Sequence, residues 1–471
     1  MKTRKLVMKC VVIAFAVVVP ISQADDGNWN GNSGNWSDTG IWNGGMVAEG
    51  ANNTAYFTNN IAEAKVVTND VFRTIGHITF TDVTTSSHNL TLAAGATLTL
   101  DVTSGSPTID VTQSGRILTM ACVIDGNEGL TKTGAGQLTL SGTNTYSGGT
   151  VFNGGGLVFT SDASLGVTSG TLTLNTNYTS GATPTLNAAR AIVLNNNAIW
   201  DQTTTSTLTL NGPVSGTGGF QARKTNAGST PILLNSTSNT FTGPINTMGG
   251  ATSVEFKSLV DSSTGNITLS ADGSSGYPVY IRYGSGAIAD LTLSNRQIVL
   301  ATGNHYSSIE NNSTRAFTIG SNLIDQGTGT KTLQLGGSGS GTNTFSGNIT
   351  QAGSGSTNSL VKSGNCTWVL SGTNTYSGPT TVNAGKLVLA GSQTLSDTAA
   401  LTIVAGKKVR LEAGVTEKVG SLVIGGTPKD IGTWGSVDNT KAENTDAVFE
   451  GEGLLYVGID LPPSGTVLII R

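Results

Sequence analysis

Acidic side chains are the first candidates for chemistry, because glycoside hydrolases need two positioned carboxylates and lyases need a base with calcium-binding acids. Two pairs of acids are close in sequence: Asp125 with Glu128, and Glu255 with Asp261. Both pairs fall at predicted turns, where acids are usually solvated. Further isolated acids are Asp162, Asp201, Asp272, Asp290, Glu310 and Asp325. Arg282 and Tyr283, with Asp290 nearby, would be the first suspects in an enzyme, but no motif here predicts a catalytic residue.

Metal, nucleotide and nucleic-acid sites have no support in the sequence. His77, His88 and His305 are far apart, and no His/Cys pair has the spacing of a zinc site. We find no Gly-x-x-x-x-Gly-Lys-Ser/Thr phosphate loop and no Asp-containing calcium nonapeptide. With 29 acidic and 25 basic residues, the chain lacks the basic balance of a nucleic-acid binder. We therefore predict no cofactor, no metal and no nucleic-acid partner.

Three tryptophans, Trp29, Trp36 and Trp42, lie close together near the N-terminus. One interpretation is a platform on which sugars stack, which makes them candidate glycan contacts. The other is a cap that seals the first coil of a solenoid, because large aromatic side chains usually serve packing and solenoid ends need special sequences. We favour the cap. A denser mix of charges at 407–452 likewise predicts a C-terminal cap.

Internal repeats indicate the elements that must position these side chains. Segment 130–159 reads LTKTGAGQLTLSGTNTYSGGTVFNGGGLVF, and segment 360–389 reads LVKSGNCTWVLSGTNTYSGPTTVNAGKLVL. A third copy of the shared octapeptide, SGTNTFSG, lies at 340–347, and a weaker fourth copy lies at 236–244, with Phe345 and Phe241 in the place of the tyrosine. The predicted structural residues of the two clear repeats are Lys132, Gly134, Asn144, Tyr146, Gly148, Lys362, Gly364, Asn374, Tyr376 and Gly378.

The repeats contain short strands in which Leu, Ile and Val alternate with Thr and Ser, bounded by Gly and Asn turns. This pattern suits a β-sandwich or a solenoid. We favour the solenoid because single β domains rarely exceed about 250 residues and no break in composition divides this chain. Turn residues at recurring places also suit stacked coils. The sequence therefore predicts an all-β parallel β-helix with N- and C-terminal caps.

Residues 1–24 are predicted to be a secretory signal peptide, with a basic start, an apolar stretch and small residues at the cleavage site. The predicted parts that follow are a Trp-rich N-terminal cap at 25–60, the β-helix at 61–420, a closing segment at 421–460 and a short tail at 461–471. No later apolar run is long enough for a transmembrane helix. Cys122 and Cys366 are predicted to be buried and unpaired, because coils stacked about 4.8 Å apart would separate them widely.

The run from Gly129 to Thr150 resembles the autotransporter-associated β-strand repeat, also called the passenger-associated transport repeat, and segment 360–389 resembles it as well. The tryptophan-containing N-terminus and the segments 431–436 and 448–457 resemble the ends of large secreted proteins with these repeats. The resemblance implies a right-handed β-helix, export to a bacterial surface and no catalytic residues. Autotransporters also have a membrane barrel. We expect no outer-membrane barrel in this chain, so that it is a passenger alone.

We therefore expect a secreted or cell-surface, non-enzymatic β-helical protein with an adhesion-like or structural role, whose partners are glycans or other surface proteins. Two alternatives remain open. A polysaccharide-active β-helix enzyme would require three or more charged side chains that converge in a groove on adjacent coils. A carbohydrate-binding protein would use the N-terminal tryptophans. For the tail we expect an end strand or frayed terminus, with a degenerate sorting signal as the alternative.

Overall fold

The structure is a computed structural model that describes residues 25–84, 88–176, 185–202, 207–224, 231–249, 252–270, 278–353 and 355–462. The predicted signal peptide and most of the predicted tail lie outside these ranges. Within them the chain forms 46 short strands and three short 3₁₀ helices. None of the helices in the described ranges is long and apolar enough to cross a membrane.

The N-terminal part contains β1 to β16. Their bounds are Gly27–Asn28, Gly34–Asn35, Gly50–Phe57, Lys65–Thr68, Arg73–Phe80, Leu90–Ala93, Leu98–Leu100, Thr108–Val111, Ile117–Met120, Ile124–Asp125, Leu130–Thr133, Gln137–Leu140, Thr150–Phe152, Gly156–Phe159, Leu172–Leu174 and Thr185–Leu186. The 3₁₀ helices are Thr39–Ile41, Asn43–Gly45 and Asp162–Leu165.

The middle part contains β17 to β31. Their bounds are Ile192–Leu194, Ala198–Gln202, Leu208–Leu210, Val214–Ser215, Phe220–Lys224, Pro231–Leu234, Ile245–Met248, Ser253–Phe256, Ile267–Ser270, Val279–Tyr283, Leu291–Leu293, Ile298–Leu300, His305–Asn311, Phe317–Ile319 and Leu323–Asp325.

The C-terminal part contains β32 to β46. Their bounds are Gly329–Gly336, Asn343–Phe345, Ser356–Lys362, Thr367–Leu370, Thr380–Val382, Lys386–Leu389, Ala400–Ile403, Lys408–Leu411, Thr416–Val419, Ser421–Ile424, Thr427–Pro428, Gly432–Gly435, Asn444–Thr445, Phe449–Glu450 and Leu454–Val457.

The strands stack into long parallel sheets in which each neighbour is one coil further along the chain. Leu130 pairs with Thr150, which pairs with Leu172, which in turn pairs with Ile192. Nine strands of the 11-stranded sheet follow β1-β3-β5-β8-β11-β13-β15-β17-β20, and its other two strands branch from β5, with β7 paired to β5 and β10 paired to β7. The 12-stranded sheet follows β16-β19-β22-β24-β26-β29-β32-β34-β36-β38-β41-β42. Two 6-stranded sheets and a 7-stranded sheet supply the other faces. This arrangement is a parallel β-helix, so the predicted fold class is confirmed. The right-handed turn stays a prediction, in line with the strong preference of parallel crossovers.

The core runs through the inside of the coils. In β12, Leu138 and Leu140 are fully buried, whereas Thr139 between them points outward. This alternation follows from the period-two geometry of a strand, and it recurs in most strands. The buried side chains form one continuous cluster from Trp29 to Val457. Cys122 and Cys366 are both buried and free, as predicted.

The parallel stacking ends in the C-terminal segment. There β42 pairs with β41 in antiparallel fashion, and β43 pairs antiparallel with β46. Trp434 is buried at this end, and its indole N–H donates to the carbonyl of Asp430 at 3.0 Å. A sheet of mixed direction cannot continue a parallel stack, so this segment has the geometry of a closing cap. The predicted boundaries of the individual parts stay a prediction.

Candidate functional site

The three N-terminal tryptophans pack against one another and against Phe57. Trp29, Trp36 and Trp42 are at most 2% exposed, and their rings lie 5.4 to 5.6 Å from the ring of Phe57. Each indole N–H donates to a main-chain carbonyl, those of Asn32, Ala48 and Trp36 respectively. Sugars stack on exposed ring faces, and here those faces are occupied by protein. This geometry favours packing, while glycan contact by these residues stays an untested prediction that would require the cluster to open.

The lysine of each clear repeat is buried and surrounded by carbonyl oxygens. Lys132 Nζ donates to the carbonyls of Gly134 at 3.0 Å and Gly154 at 3.1 Å, and also to that of Thr133. Burial lowers the pKa of Lys132 to about 8, against a smaller opposing effect of Asp110. The lysine therefore ties its own turn to the equivalent turn of the next coil.

Lys362 repeats this arrangement in the second repeat. Its Nζ donates to the carbonyls of Ser363 at 2.5 Å, Gly364 at 2.9 Å and Ala384 at 3.0 Å. Burial also lowers the pKa of Lys362. Gly134 and Gly364, in the same turns, have positive φ, and a Cβ there would meet a carbonyl of the previous coil. Only glycine fits that combination without strain.

The asparagine of each clear repeat connects three consecutive coils. Asn144 Oδ1 accepts from the N–H of Ile124 at 2.9 Å, and its Nδ2 donates to the carbonyl of Ser164 at 2.6 Å. Asn374 does the same with Ile349 and Thr394, at 2.7 Å in both directions. Each amide thus satisfies a backbone donor in the preceding coil and a backbone acceptor in the following coil.

The tyrosines and remaining glycines complete the repeat geometry. The hydroxyls of Tyr146 and Tyr376 hydrogen-bond to the Thr150 and Thr380 hydroxyls at 2.7 and 2.8 Å, and both rings are buried. Burial raises the pKa of both tyrosines. A Cβ at Gly148 or Gly378 would lie 2.2 or 2.4 Å from backbone atoms of the neighbouring coil. These residues therefore hold neighbouring coils together.

The third copy of the octapeptide occupies a different place in its coil than the sequence predicts. Asn343–Phe345 is a strand that pairs with β35, so Phe345 aligns with Leu370 and not with Tyr376. The weaker fourth copy is the true equivalent of the first. Asn239 Oδ1 accepts from the N–H of Val214 at 3.1 Å, and its Nδ2 donates to the carbonyl of Ser258 at 3.3 Å.

Three charged side chains that are distant in sequence meet on the outer face of the 12-stranded sheet. The strand register places Glu255 beside Arg282 and Arg282 beside Glu310 on successive coils. Arg282 Nε lies 2.7 Å from Glu310 Oε2, with the two side chains 19% and 16% exposed. Burial raises the pKa of Glu255, although Arg282 and Lys257 oppose the shift. We call Glu255, Arg282 and Glu310, together with Tyr280 and Tyr306, the charged ladder.

Aromatic and amide side chains extend the charged ladder. The guanidinium carbon of Arg282 lies 4.1 Å from the ring centroid of Tyr280, which is a close cation–π contact. The Tyr306 hydroxyl donates to the side-chain carbonyl of Gln334, whose Nε2 donates to the Ser308 hydroxyl at 2.9 Å. Burial raises the pKa of Tyr280 and Tyr306, and the Glu310 charge adds to both shifts. The result is a fixed, partly exposed array of rings, charges and amides.

Other sequence candidates do not join this array. Tyr283 points into the core, because neighbouring strand residues face opposite sides. Asp261 accepts from the backbone N–H groups of a turn, and Asp290 accepts from that of Ala316 at 2.9 Å. Asp125 accepts from the Thr145 hydroxyl at 2.8 Å. Asp272 lies outside the described residues. The carboxylates of Asp261, Asp290 and Asp125 therefore accept hydrogen bonds from turns or from a neighbouring coil.

Segments 130–159 and 360–389 match the family described as the passenger-associated-transport-repeat. The chain is also 29% identical to the adhesin BmaC autotransporter of Brucella suis biovar 1 (strain 1330), over an alignment of 435 residues that covers 80% of this chain. The chain spans only 12% of the length of that relative. No solved structure matches the chain.

Proposed function

Because the chain carries two passenger-associated transport repeats, we propose that it is an exported, non-enzymatic surface protein of the passenger type that contacts other surfaces through the charged ladder. The structural observation on which this role depends is the array of Tyr280, Arg282, Glu310 and Tyr306 on one outward sheet face. The name of the adhesin relative adds support for binding to surface partners.

The composition of the charged ladder suits recognition. Tyr and Arg are, with Trp, the side chains enriched among residues that dominate binding energy. Arg282 is already paired with Glu310 and stacked on Tyr280, so it loses little freedom when a partner covers it. Carboxylates and ring faces together bind sugar hydroxyls and sugar rings, and they also suit polar protein surfaces. Glycans and surface proteins are therefore the proposed partners.

The binding proposal is tested with purified protein on glycan arrays and on immobilised surface proteins. A Tyr280→Ala/Tyr306→Ala variant should lose about tenfold or more in affinity, since such anchors each contribute more than about 1 kcal/mol. Tyr56→Ala is the matched control, because Tyr56 is a partly exposed strand tyrosine of the 11-stranded sheet. Unchanged binding by the double variant, or an equal loss in the control, would contradict a role of the charged ladder.

A polysaccharide-active enzyme is a second candidate, because three charged side chains do lie on adjacent coils. The order of these three groups along the sheet argues against an enzyme. Arg282 stands between Glu255 and Glu310 and pairs with Glu310, whereas glycoside hydrolysis needs the scissile bond between two free carboxylates. Incubation with a panel of acidic and neutral polysaccharides decides the matter. Cleavage that disappears in both Glu255→Gln and Glu310→Gln would establish the enzyme.

A further inference from the structure

A second polar cluster, inside the coils, contains three groups that can react with one another. Lys331 in β32 and Asn358 in β34 are directly paired across adjacent coils of the 12-stranded sheet. Asp325, the last residue of β31, approaches both from a neighbouring sheet. All three side chains are buried, and Lys331 and Asp325 side chains are both 0% exposed.

The carboxylate of Asp325 contacts both of the other groups. Lys331 Nζ lies 2.8 Å from Asp325 Oδ1, and Asn358 Nδ2 donates to Asp325 Oδ2 at 3.0 Å. The Ser356 hydroxyl lies 3.3 Å from Lys331 Nζ and 3.4 Å from Asn358 Oδ1. The Lys331 amine and the Asn358 carboxamide both contact Asp325 and Ser356, so these two groups are held side by side.

We propose that Lys331 and Asn358 form an intramolecular isopeptide bond, with Asp325 as the proton carrier. Asp325 first takes a proton from the Lys331 ammonium. The neutral Nζ then attacks Cγ of Asn358, a new C–N bond forms, and the bond from Cγ to Nδ2 breaks. One proton passes from Nζ to Nδ2 through Asp325, and Nδ2 leaves as ammonia. The step exchanges one amide for another and needs no oxidant or added reactant.

Burial favours this reaction in two ways. A low-dielectric interior penalises the ion pair relative to the neutral amine and acid, which are the reactive forms. The pairing of the strands also fixes the two reactants, and such fixation replaces a bimolecular encounter. Burial raises the pKa of Asp325, but the N–H of Ala352 and the side chains of Lys331, Ser356 and Asn358 outweigh it and hold that pKa below its usual value. Asp325 is thus held as the carboxylate that can accept a proton, and a reaction needed once per chain can proceed slowly.

Lys132 and Lys362 provide internal controls for this chemistry. Both are buried lysines of the same fold, and the groups that their Nζ atoms contact include backbone carbonyls of the surrounding turns. A backbone amide in a stacked turn is not positioned as a leaving group. Lys331 also donates to the backbone carbonyls of Gly327 and Thr328, so what distinguishes it is its strand neighbour Asn358. The strand neighbours of the control lysines are apolar, Ile109 and Phe152 for Lys132 and Leu335 and Val382 for Lys362. The proposal therefore applies to Lys331 alone.

The test is a tryptic digest of the denatured full chain, read by mass spectrometry. Without the bond, trypsin cuts after Lys331 and releases peptides 316–331 and 332–362. With the bond, Lys331 is blocked and a single species 316–362 appears, lighter by about 17 Da than its sequence because ammonia is lost. Cleavage after Lys132 and Lys362 in the same digest shows that the protein was fully denatured. Recovery of the two separate peptides would overturn the proposal.

Two variants assign the roles of the residues. Asn358→Ala should restore cleavage after Lys331, and Asp325→Asn should leave the peptides at full mass if the carboxylate carries the proton. A species lighter by about 18 Da in the wild type would mean condensation of Lys331 with Asp325, with loss of water, and would refute Asn358 as the partner. Persistence of the loss of about 17 Da in Asp325→Asn would refute the proton carrier. Circular dichroism of each variant shows that its β-helix has formed.

Discussion

Glu417 is an inward-facing acid in β40, close to the second repeat. Its carboxylate accepts from the N–H and the hydroxyl of Thr394 at 2.9 and 2.8 Å, and from the N–H of Leu395 at 3.1 Å. Burial raises the pKa of Glu417 to about 7, and Asp397 adds to the shift, although these hydrogen bonds oppose it. The sequence pattern did not single out this residue, because a lone glutamate between Thr and Lys looks like part of an exposed strand face.

The raised pKa of Glu417 predicts that this part of the β-helix loses stability as pH rises. Between the ordinary pKa of about 4.5 and the folded value of about 7, the folded state binds more protons than the unfolded state, so the free energy of unfolding falls with pH. Relative to Glu417→Gln, the wild type should lose up to about 3 kcal/mol across this window. Urea denaturation of both proteins at pH 4.5 and 7.5 measures the difference.

Comparison with Glu417→Gln cancels the contributions of groups common to both proteins, including buried His305. Glu412→Gln is the control, because Glu412 is an exposed partner of Arg410. A wild-type advantage that stays constant or grows with pH would contradict the assignment. Glu417 alone is thus expected to lower the free energy of unfolding as pH rises from about 4.5 to about 7.

At the scale of the elements, the sequence predicts strands well and their place in the coil less well. Alternation of Leu with Thr located strands such as β12, and the two clear repeats have matching contacts. The predicted position of the third octapeptide in its coil is wrong, because its local pattern also suits a strand. In the first, second and fourth copies an apolar strand ends at or next to the octapeptide, at Leu140, Leu370 and Leu234, whereas Gly339 precedes the third. Strand β32 ends at Gly336, and residues 337–339 separate it from the third octapeptide, which then forms a strand itself.

The asparagine contacts predict equal effects in the two clear repeats. Asn374→Ala leaves the N–H of Ile349 without its partner, and the carbonyl of Thr394 keeps only a 3.4 Å contact with the Tyr376 hydroxyl. We expect a loss of about 2–4 kcal/mol in the free energy of unfolding, since each buried unsatisfied group costs about 1–3 kcal/mol. Asn144→Ala should behave alike. Urea denaturation checks both, and Thr373→Ala, at an exposed position in the same turn, should change stability little.

Failure of either asparagine variant to lose stability would mean that water replaces the side chain at low cost. A loss in Asn144→Ala without one in Asn374→Ala would contradict the equivalence of the repeats. The two variants therefore compare how much the same octapeptide contributes to the free energy of unfolding in two different sheets. Strand β11 of the first repeat belongs to the 11-stranded sheet, and β34 of the second belongs to the 12-stranded sheet.

At the scale of the whole molecule, contacts between coils decide what the sequence can reveal. The charged ladder joins residues of three coils, and their meeting depends on strand register. Loops of unequal length separate these strands, so spacing in the sequence does not give the register. The same holds for Asp325, Lys331 and Asn358, of which the sequence pattern singled out only Asp325. The repeats predict that the coils stack. They do not predict which side chains of different coils come into contact, because those contacts depend on the register between the coils.

Stacking also determines how far the loss of stability caused by a substitution at one end extends along the chain. Trp36 is fully buried among Trp42, Phe57 and the guanidinium of Arg73, at the N-terminal end of the core. Trp36→Ala should cost about 3–5 kcal/mol at that end. In a solenoid each coil contacts only its neighbours, so amide hydrogen exchange should rise in β3 and β5 and stay unchanged in β35 and β37. Phe72→Ala, at a side chain that is 81% exposed, is the control and should leave exchange unchanged. Uniform loss of protection along the chain would show that the coils unfold as one unit, and unchanged protection in β3 would show that the tryptophans do not seal the stack.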